Sequence, residues 1–155
     1  MNVNLNTTYD IRLSLDSISE YQELLEKKKR QLPQIAENIV SKVSEVGLED
    51  NYKSAEALPI KSDGNSVIGG ICTTDEKDTY REFGTGIVGS ENPHPDTLSG
   101  WIYDVNEHGE KGWVYPKGDG TFGWTKGVPA KEKFYEATKK MEESLPEIAK
   151  AEFGK

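Results

Sequence analysis

The sequence is poor in cysteine and in apolar residues, and it has no excess of positive charge. A single cysteine, Cys72, excludes an internal disulfide framework and any zinc site built from cysteines. Only 34% of the 155 residues are hydrophobic, and mean hydropathy is −0.70. This predicts one domain, 1–155, with a small core that neighbouring subunits can complete. Residues 1–15 lack the pattern of a secretion signal, and no stretch approaches the roughly 20 apolar residues of a membrane span. We therefore expect synthesis and folding in the cytoplasm.

The charge balance disfavours broad binding to nucleic acid. The formal net charge is −8, and the segment 47–128 holds 14 acidic and seven basic residues. Such a surface offers no basic field to displace counterions from phosphates. The one basic cluster is EKKKR at Glu26–Arg30. At the end of a helix it would complement the negative pole of the helix dipole; contact with an acidic partner or with packaged DNA is the alternative.

Periodicity predicts an N-terminal strand followed by two helices. The segment YDIRLSLD, residues 9–16, alternates apolar and polar side chains as a half-buried strand does. Ser17 and Glu20 then form the capping box of a helix start, and Pro33 separates two helices over roughly 17–46. Apolar residues line one side of each predicted helix: Ile18, Tyr21, Leu24, Leu25 and Leu32 in the first, and Ile35, Ile39, Val43 and Val46 in the second.

The middle of the chain predicts β structure and a long loop. The segment LPIKSDGNSVIGGICTT indicates two strands joined by a tight turn, and a further strand is expected over Thr79–Phe83. A loop rich in Gly, Pro and aromatic residues is expected over about 84–120, followed by a short strand at 121–125. Pro129 opens a C-terminal helix in which Pro146 predicts a kink or a restart. The fold class is α+β: a small, mostly antiparallel sheet packed with the N-terminal helix pair and the C-terminal helix.

Three glycines, Gly84, Gly86 and Gly89, form a G-x-G-x-x-G string within YREFGTGIVGSENPHP. In a dinucleotide site this string precedes a helix whose N-terminus faces the pyrophosphate. Pro93 and Pro95 exclude a long helix here, and neither a Walker lysine nor a kinase-type lysine is present. The glycines are therefore interpreted as corner residues that use positive φ at the mouth of the loop. No cofactor is predicted.

The titratable residues offer two weaker hypotheses. His94 and His108, with nearby carboxylates, could in chemical terms bind a metal, but their spacing fits no known helical motif and favours solvated loop histidines. Glu82 and Asp104 are candidates for a pair of catalytic carboxylates, which would make the chain a small acid-based hydrolase. An acid-rich solvated surface explains the same residues, so we predict neither catalytic nor metal-binding residues.

The aromatic residues of the predicted loop are the candidates for protein contacts. Tryptophan and tyrosine are enriched at interface hot spots because they bury a large area and keep a polar group. Their neighbours here are mainly acidic residues and glycine, which disfavours stacking on single-stranded nucleic acid. Packing of the loop on itself is the equal alternative. The five candidates are Trp101, Tyr103, Trp113, Tyr115 and Trp124.

Two strings follow one another in the second half of the chain: EFGTGIVG, which lies between a β region and the aromatic loop, and GWTKGVPAKEKFYEATK, which opens the last helix. Together with the helix pair that leads into ALPIKSDG and a hairpin, they resemble the tail-completion or head–tail joining proteins, a family of tailed-phage neck proteins. The resemblance implies an α+β fold like that of ring-forming tail-terminator proteins, and a structural role without catalysis.

The resemblance also implies partners and a location. Copies of the chain would form a ring and contact other neck or tail proteins at the head–tail junction of the virion, after synthesis in the bacterial host. DNA would be present only as the passing content of the channel, which an acidic lumen would repel. No membrane and no small-molecule substrate would be involved. The acid-based hydrolase and a monomeric adaptor that binds one protein remain as alternatives.

Overall fold

The computed structural model describes residues 15–96 and 100–155, and it confirms the α+β class. Four α-helices and three two-stranded antiparallel pairs are present among these residues. None of the described helices is both long and apolar enough to cross a membrane. The predicted N-terminal strand lies outside the described residues, except Leu15 and Asp16, which belong to the first helix.

The prediction of two N-terminal helices is wrong, because a single helix, α1, runs from Leu15 to Leu48 with Pro33 inside it. Proline removes one backbone hydrogen bond from a helix. Both Pro33 and Lys29, four residues earlier, are exposed, so water can hydrate the freed carbonyl. The apolar stripe also continues past Pro33 on the same side of the helix. Its residues recur every seven positions: Ile18, Leu25, Leu32, Ile39 and Val46.

The C-terminal helix, α4, runs from Lys133 to Phe153 and lies antiparallel to the second half of α1. Ile35 and Ala137 are two of the few buried apolar residues in the described chain. The side chain of Met141 covers Gly47, where a Cβ would collide with its sulfur. α4 starts four residues after Pro129 and does not restart at Pro146, since it continues as one helix to Phe153.

The basic cluster Glu26–Arg30 lies in the middle of α1 rather than at a helix end. Its predicted capping of its own helix is therefore wrong. Lys28 instead donates a hydrogen bond to the carbonyl oxygen of Phe153 at 3.2 Å, at the last turn of α4. The cation thus meets the negative pole of a different helix.

A buried carboxylate joins the two long helices. Glu152 is 2% exposed and accepts hydrogen bonds from Lys155 and Lys42, each at 2.5 Å, and from Asn38 at 3.3 Å. The hydrogen bonds from Lys155 and Lys42 lower the pKa of Glu152 to about 2, against the opposing effect of burial. The hydrogen bond to Glu152 in turn raises the pKa of Lys42.

We expect Glu152 to make the stability of the protein depend on acid. Because its folded pKa lies below the unfolded value of about 4.3, its contribution is complete above that pH and is lost as the pH falls towards 2. Melting curves of the wild type and Glu152→Gln should differ at pH 7 and converge near pH 2. Exposed Glu142→Gln is the control and should show no such convergence. A difference between wild type and Glu152→Gln that is constant over this range would contradict the assignment.

The first two antiparallel pairs follow the predicted strand–turn–strand segment. β1, Ala55–Ala57, pairs with β4, Ile71–Thr73, and β2, Lys61–Ser62, pairs with β3, Val67–Ile68. The tight turn forms because Asp63 Oδ1 accepts hydrogen bonds from the backbone of Asn65 and Ser66, at 2.9 and 2.7 Å. The small sheet is thus a set of separate two-stranded pairs.

The predicted strand Thr79–Phe83 is wrong: these residues belong to helix α2, Glu76–Phe83. Asp75 precedes it and accepts a hydrogen bond from the backbone of Lys77 at 2.9 Å, which is a standard helix N-cap. The segment therefore starts as a capped helix, a signal that the strand prediction overlooked.

The predicted long loop, 84–120, includes short regular elements in its described part. It contains helix α3, Gly86–Glu91, and a π-helical turn, Val105–Gly109. Strand β5, Trp113–Pro116, pairs with β6, Phe122–Thr125, which confirms the short strand at 121–125. A last short strand, β7, Gly127–Val128, bridges to Thr85 and Gly86.

Candidate protein interface

The glycine string is packed against the chain's own backbone. Gly84 has φ of 78° and Gly86 has φ of 62°, both in the left-handed region that favours glycine. A Cβ on Gly84 would lie 2.8 Å from the backbone of Val128 and Ala130. The amide of Gly86 donates to the carbonyl of Tyr103 at 2.7 Å. Backbone atoms of the same chain therefore pack directly against both glycines and fill the space that a bound nucleotide would need.

Gly89 lies inside α3 rather than at a corner. A Cβ there would lie 2.8 Å from the backbone of Gly84 and 2.9 Å from the ring of Tyr103. α3 has only six residues and ends at Glu91, two residues before Pro93. Because Gly89 has no side chain, α3 can pack closely against the turn at Gly84.

Four of the five aromatic candidates line one cleft of about 910 Å³, which we call the aromatic cleft. Its walls come from α2, the segment 100–108, and β5 with the residues after it. The fifth candidate, Trp124, does not line it and is 58% exposed, as Phe122 nearby is 71% exposed. Apolar and aromatic side chains dominate the cleft: Tyr80, Trp101, Ile102, Tyr103, Trp113, Val114, Tyr115 and Val128.

Packing inside the chain holds the aromatic candidates in place. The indole of Trp101 donates to the carbonyl of Gly84 at 2.7 Å and stacks on Phe83 with a centroid distance of 5.3 Å. The hydroxyl of Tyr103 accepts a hydrogen bond from the backbone of His94 at 3.0 Å. Trp101 and Tyr103 therefore pack within the chain while they line the cleft.

Three cations lie at the aromatic cleft: Lys77, Arg81 and Lys117. Arg81 is fixed by a 2.9 Å ion pair with Asp78, which is 1% exposed. Burial alone would raise the pKa of Asp78, but hydrogen bonds from Ser54, Arg81 and Thr73 outweigh it and hold the pKa below its usual value. The carboxylate thus stays charged and keeps Arg81 beside the cleft.

Glu82, a candidate catalytic acid from the sequence, is buried and caps α4. Its carboxylate accepts hydrogen bonds from the backbone of Phe134 at 3.0 Å and of Tyr135 at 2.9 Å. The hydroxyl of Tyr52 donates to it at 3.2 Å, and burial together with the charge of Glu82 raises the pKa of Tyr52. His94 Nε2 lies 3.3 Å from the same carboxylate.

His94 is buried, so its interpretation as a solvated loop residue is wrong. Its Nδ1 accepts a hydrogen bond from the backbone of Asp96 at 3.0 Å, which places the ring proton on Nε2, facing Glu82. The imidazole also packs on Phe83 and Tyr135. These contacts fix the segment before residue 97 against α2 and α4.

His108 is exposed and separate from His94. Its Nδ1 lies 2.6 Å from Asp104 Oδ2, and ligand atoms of Asp104, Glu107 and His108 come within 4.8 Å of one another. All three side chains are solvent-exposed. The structure therefore brings together neither the two histidines nor Glu82 and Asp104 as a site.

The first half of α1 has an uncovered apolar face. All residues from 18 to 27, which we call the α1 overhang, are exposed, and they precede the point where Lys28 meets the end of α4. The apolar residues of the overhang are large: Ile18 is 42% exposed, Tyr21 67%, Leu24 51% and Leu25 58%. The sequence predicted this stripe but gave no sign that the chain leaves it open.

The comparisons with known proteins give no relative. No family model matches the chain, and neither a curated protein nor a solved structure matches it. The overhang and the aromatic cleft are therefore the observations on which a functional proposal can rest.

Proposed function

We propose that this chain is a structural subunit of the head–tail junction of a tailed phage. It assembles with copies of itself, and with other neck or tail proteins, around the channel through which DNA passes. It would be made in the cytoplasm of the bacterial host and would reside at the junction in the virion. The proposal assigns it no catalytic step, no cofactor, no small-molecule substrate and no membrane contact.

One observation carries the proposal: large apolar side chains of residues 15–96 and 100–155 lie exposed at the surface. In the described part of the chain, 17 large apolar side chains are at least 40% exposed. Only Ile35, Tyr52 and Ala137 are buried apolar residues in the described chain. Exposed apolar side chains that lie together, as they do on the α1 overhang, are typical of association surfaces. A subunit that completes its core on assembly has this distribution.

The charge distribution supports a position beside DNA without binding to it. The formal net charge is −8, and seven of these negative charges belong to the segment 47–128. A surface of this sign repels the phosphate backbone, so duplex DNA can slide past it.

We expect the purified protein to self-associate. Light scattering on a sizing column, over a wide range of concentrations, should show the mass per particle rising above that of one chain. Negative-stain images of the assembled peak should show rings with a hole wide enough for duplex DNA. Mixing with connector and tail proteins should give co-assembly. A chain that neither self-associates nor binds those proteins would overturn the proposal, and turnover of a small substrate would favour the hydrolase.

A further inference from the structure

We propose that the α1 overhang of one copy docks into the aromatic cleft of the next copy. The inference rests on the proposed self-assembly and names the two surfaces that meet. The two surfaces lie on different parts of one chain, since α1 packs on α4, β1, β3 and β4, whereas α2, the segment 100–108 and β5 form the cleft.

The apolar groups of the two surfaces match. An amphipathic helix binds a groove through side chains at positions i, i+3 and i+7, and Ile18, Tyr21 and Leu25 have this spacing. The cleft has a volume of about 910 Å³ and is open at its apolar wall, where Ile102 is 83% exposed. Aromatic walls of this kind bury apolar side chains at interface hot spots.

The charges of the two surfaces are opposite. The overhang carries Glu20, Glu23 and Glu26 and has no cation before Lys27. The cleft carries Lys77 and Lys117, and also Arg81, which pairs with Asp78, on a chain whose net charge is −8. Among the described residues that line the cleft, the acidic one is Asp104, whose carboxylate faces His108. Charge therefore favours an acidic helix as the occupant, and the overhang is an acidic helix with an apolar stripe.

The symmetry of the contact agrees with a ring. Two different patches that bind each other form a heterologous contact, which continues from subunit to subunit and closes into a ring when the rotation allows. Pairing of two overhangs with each other would be isologous and would stop at a dimer. The two arrangements therefore predict different behaviour when variants are mixed.

Two variants test the arrangement. Leu25→Asp disables the overhang and leaves the cleft intact, and Ile102→Asp disables the cleft and leaves the overhang intact; both residues are exposed, so both variants should fold. Each alone should be monomeric, with the dissociation constant of self-association raised at least about 30-fold. An equimolar mixture should form a one-to-one dimer, because one overhang and one cleft remain intact.

The controls make the same chemical change outside the proposed contact. Leu145→Asp makes the same change as Leu25→Asp at an exposed position on α4, and Phe122→Asp alters an exposed residue that does not line the cleft. Both should assemble like the wild type. Should circular dichroism show that Ile102→Asp is unfolded, Lys117→Glu replaces it as the cleft variant.

Three results would overturn the inference. The first is a wild type that stays monomeric at every concentration. The second is normal assembly by either variant, and the third is a mixture that stays monomeric although each variant has lost assembly. Failure of the proposed neck function would give a different result. The wild type would assemble with itself but bind no connector or tail protein.

Discussion

Replacement of Glu82 by alanine is expected to lower the free energy of unfolding by about 4 kcal/mol. The carboxylate is 4% exposed and accepts two hydrogen bonds from the first turn of α4. Loss of such a cap costs about 1 kcal/mol. The buried donors of Tyr52 and His94 also lose their acceptor, at about 1–3 kcal/mol each.

Thermal and urea unfolding monitored by circular dichroism would measure this effect. For a chain of this length, the melting temperature should fall by roughly 10 °C. Glu82→Gln should lose less, about 2 kcal/mol, because the amide keeps one acceptor oxygen but turns a donor towards other donors. Glu143→Ala, an exposed change on α4, should stay within about 0.5 kcal/mol of the wild type. A Glu82→Ala protein as stable as this control would show that the cap contributes little.

The capping of α4 by Glu82 was not predictable from the local sequence pattern. The sequence shows only that α4 has no capping residue of its own. α4 begins after Glu132, whose φ is 56° and whose side chain makes no capping hydrogen bond. No Ser, Thr, Asp or Asn stands at the start of the helix to supply one. A helix without its own cap needs an acceptor from elsewhere, and here Glu82, 52 positions before Phe134, supplies it. Sequence periodicity cannot identify that partner.

The elements that the sequence predicts well are those whose signal is local. The Asp63 turn and the helical periods of α1 and α4 depend on neighbours within a few residues, and they are confirmed. One error has a local cause, because the strand predicted over Thr79–Phe83 overlooks the helix N-cap at Asp75. The other differences depend on features that the local pattern does not show. Pro33 lies inside α1, where both it and Lys29 are exposed and the apolar stripe continues through it. In the segment 84–120, β7 bridges to Thr85 and Gly86, and Trp101 stacks on Phe83 of α2.

The candidate interface was predictable as a set of residues but not as a surface. Aromatic composition selects Trp101, Tyr103, Trp113 and Tyr115, and the fold brings these four to one cleft. Trp124 lies outside the cleft although Val114, its partner across the strand pair, lines it, and composition carries no such information. Exposure of the α1 overhang depends on where α4 ends, which is set by α4's own length.

Replacement of Gly86 by alanine is expected to destabilise the protein by about 3 kcal/mol. The residue has φ of 62°, which costs an L-residue about 1–2 kcal/mol. The added Cβ would also collide with the carbonyl oxygen of Lys126 and lie 3.0 Å from the ring of Trp113. The Lys126 carbonyl belongs to the turn that leads into β7, which pairs with Gly86 itself, so it cannot move away without breaking that bridge.

Two other glycines separate backbone strain from collision. Gly64→Ala has φ of 86° but no atom within 4 Å of the added Cβ, so it should cost only about 1 kcal/mol. Gly118→Ala has neither strain nor a neighbour and should be neutral. In urea unfolding, Gly86→Ala should therefore lose the most free energy of unfolding, Gly64→Ala less and Gly118→Ala none. Were Gly86→Ala instead as stable as Gly118→Ala, the close packing of the glycine string would not matter to folding. A functional explanation, such as the nucleotide site that backbone packing argues against, would then have to account for these glycines.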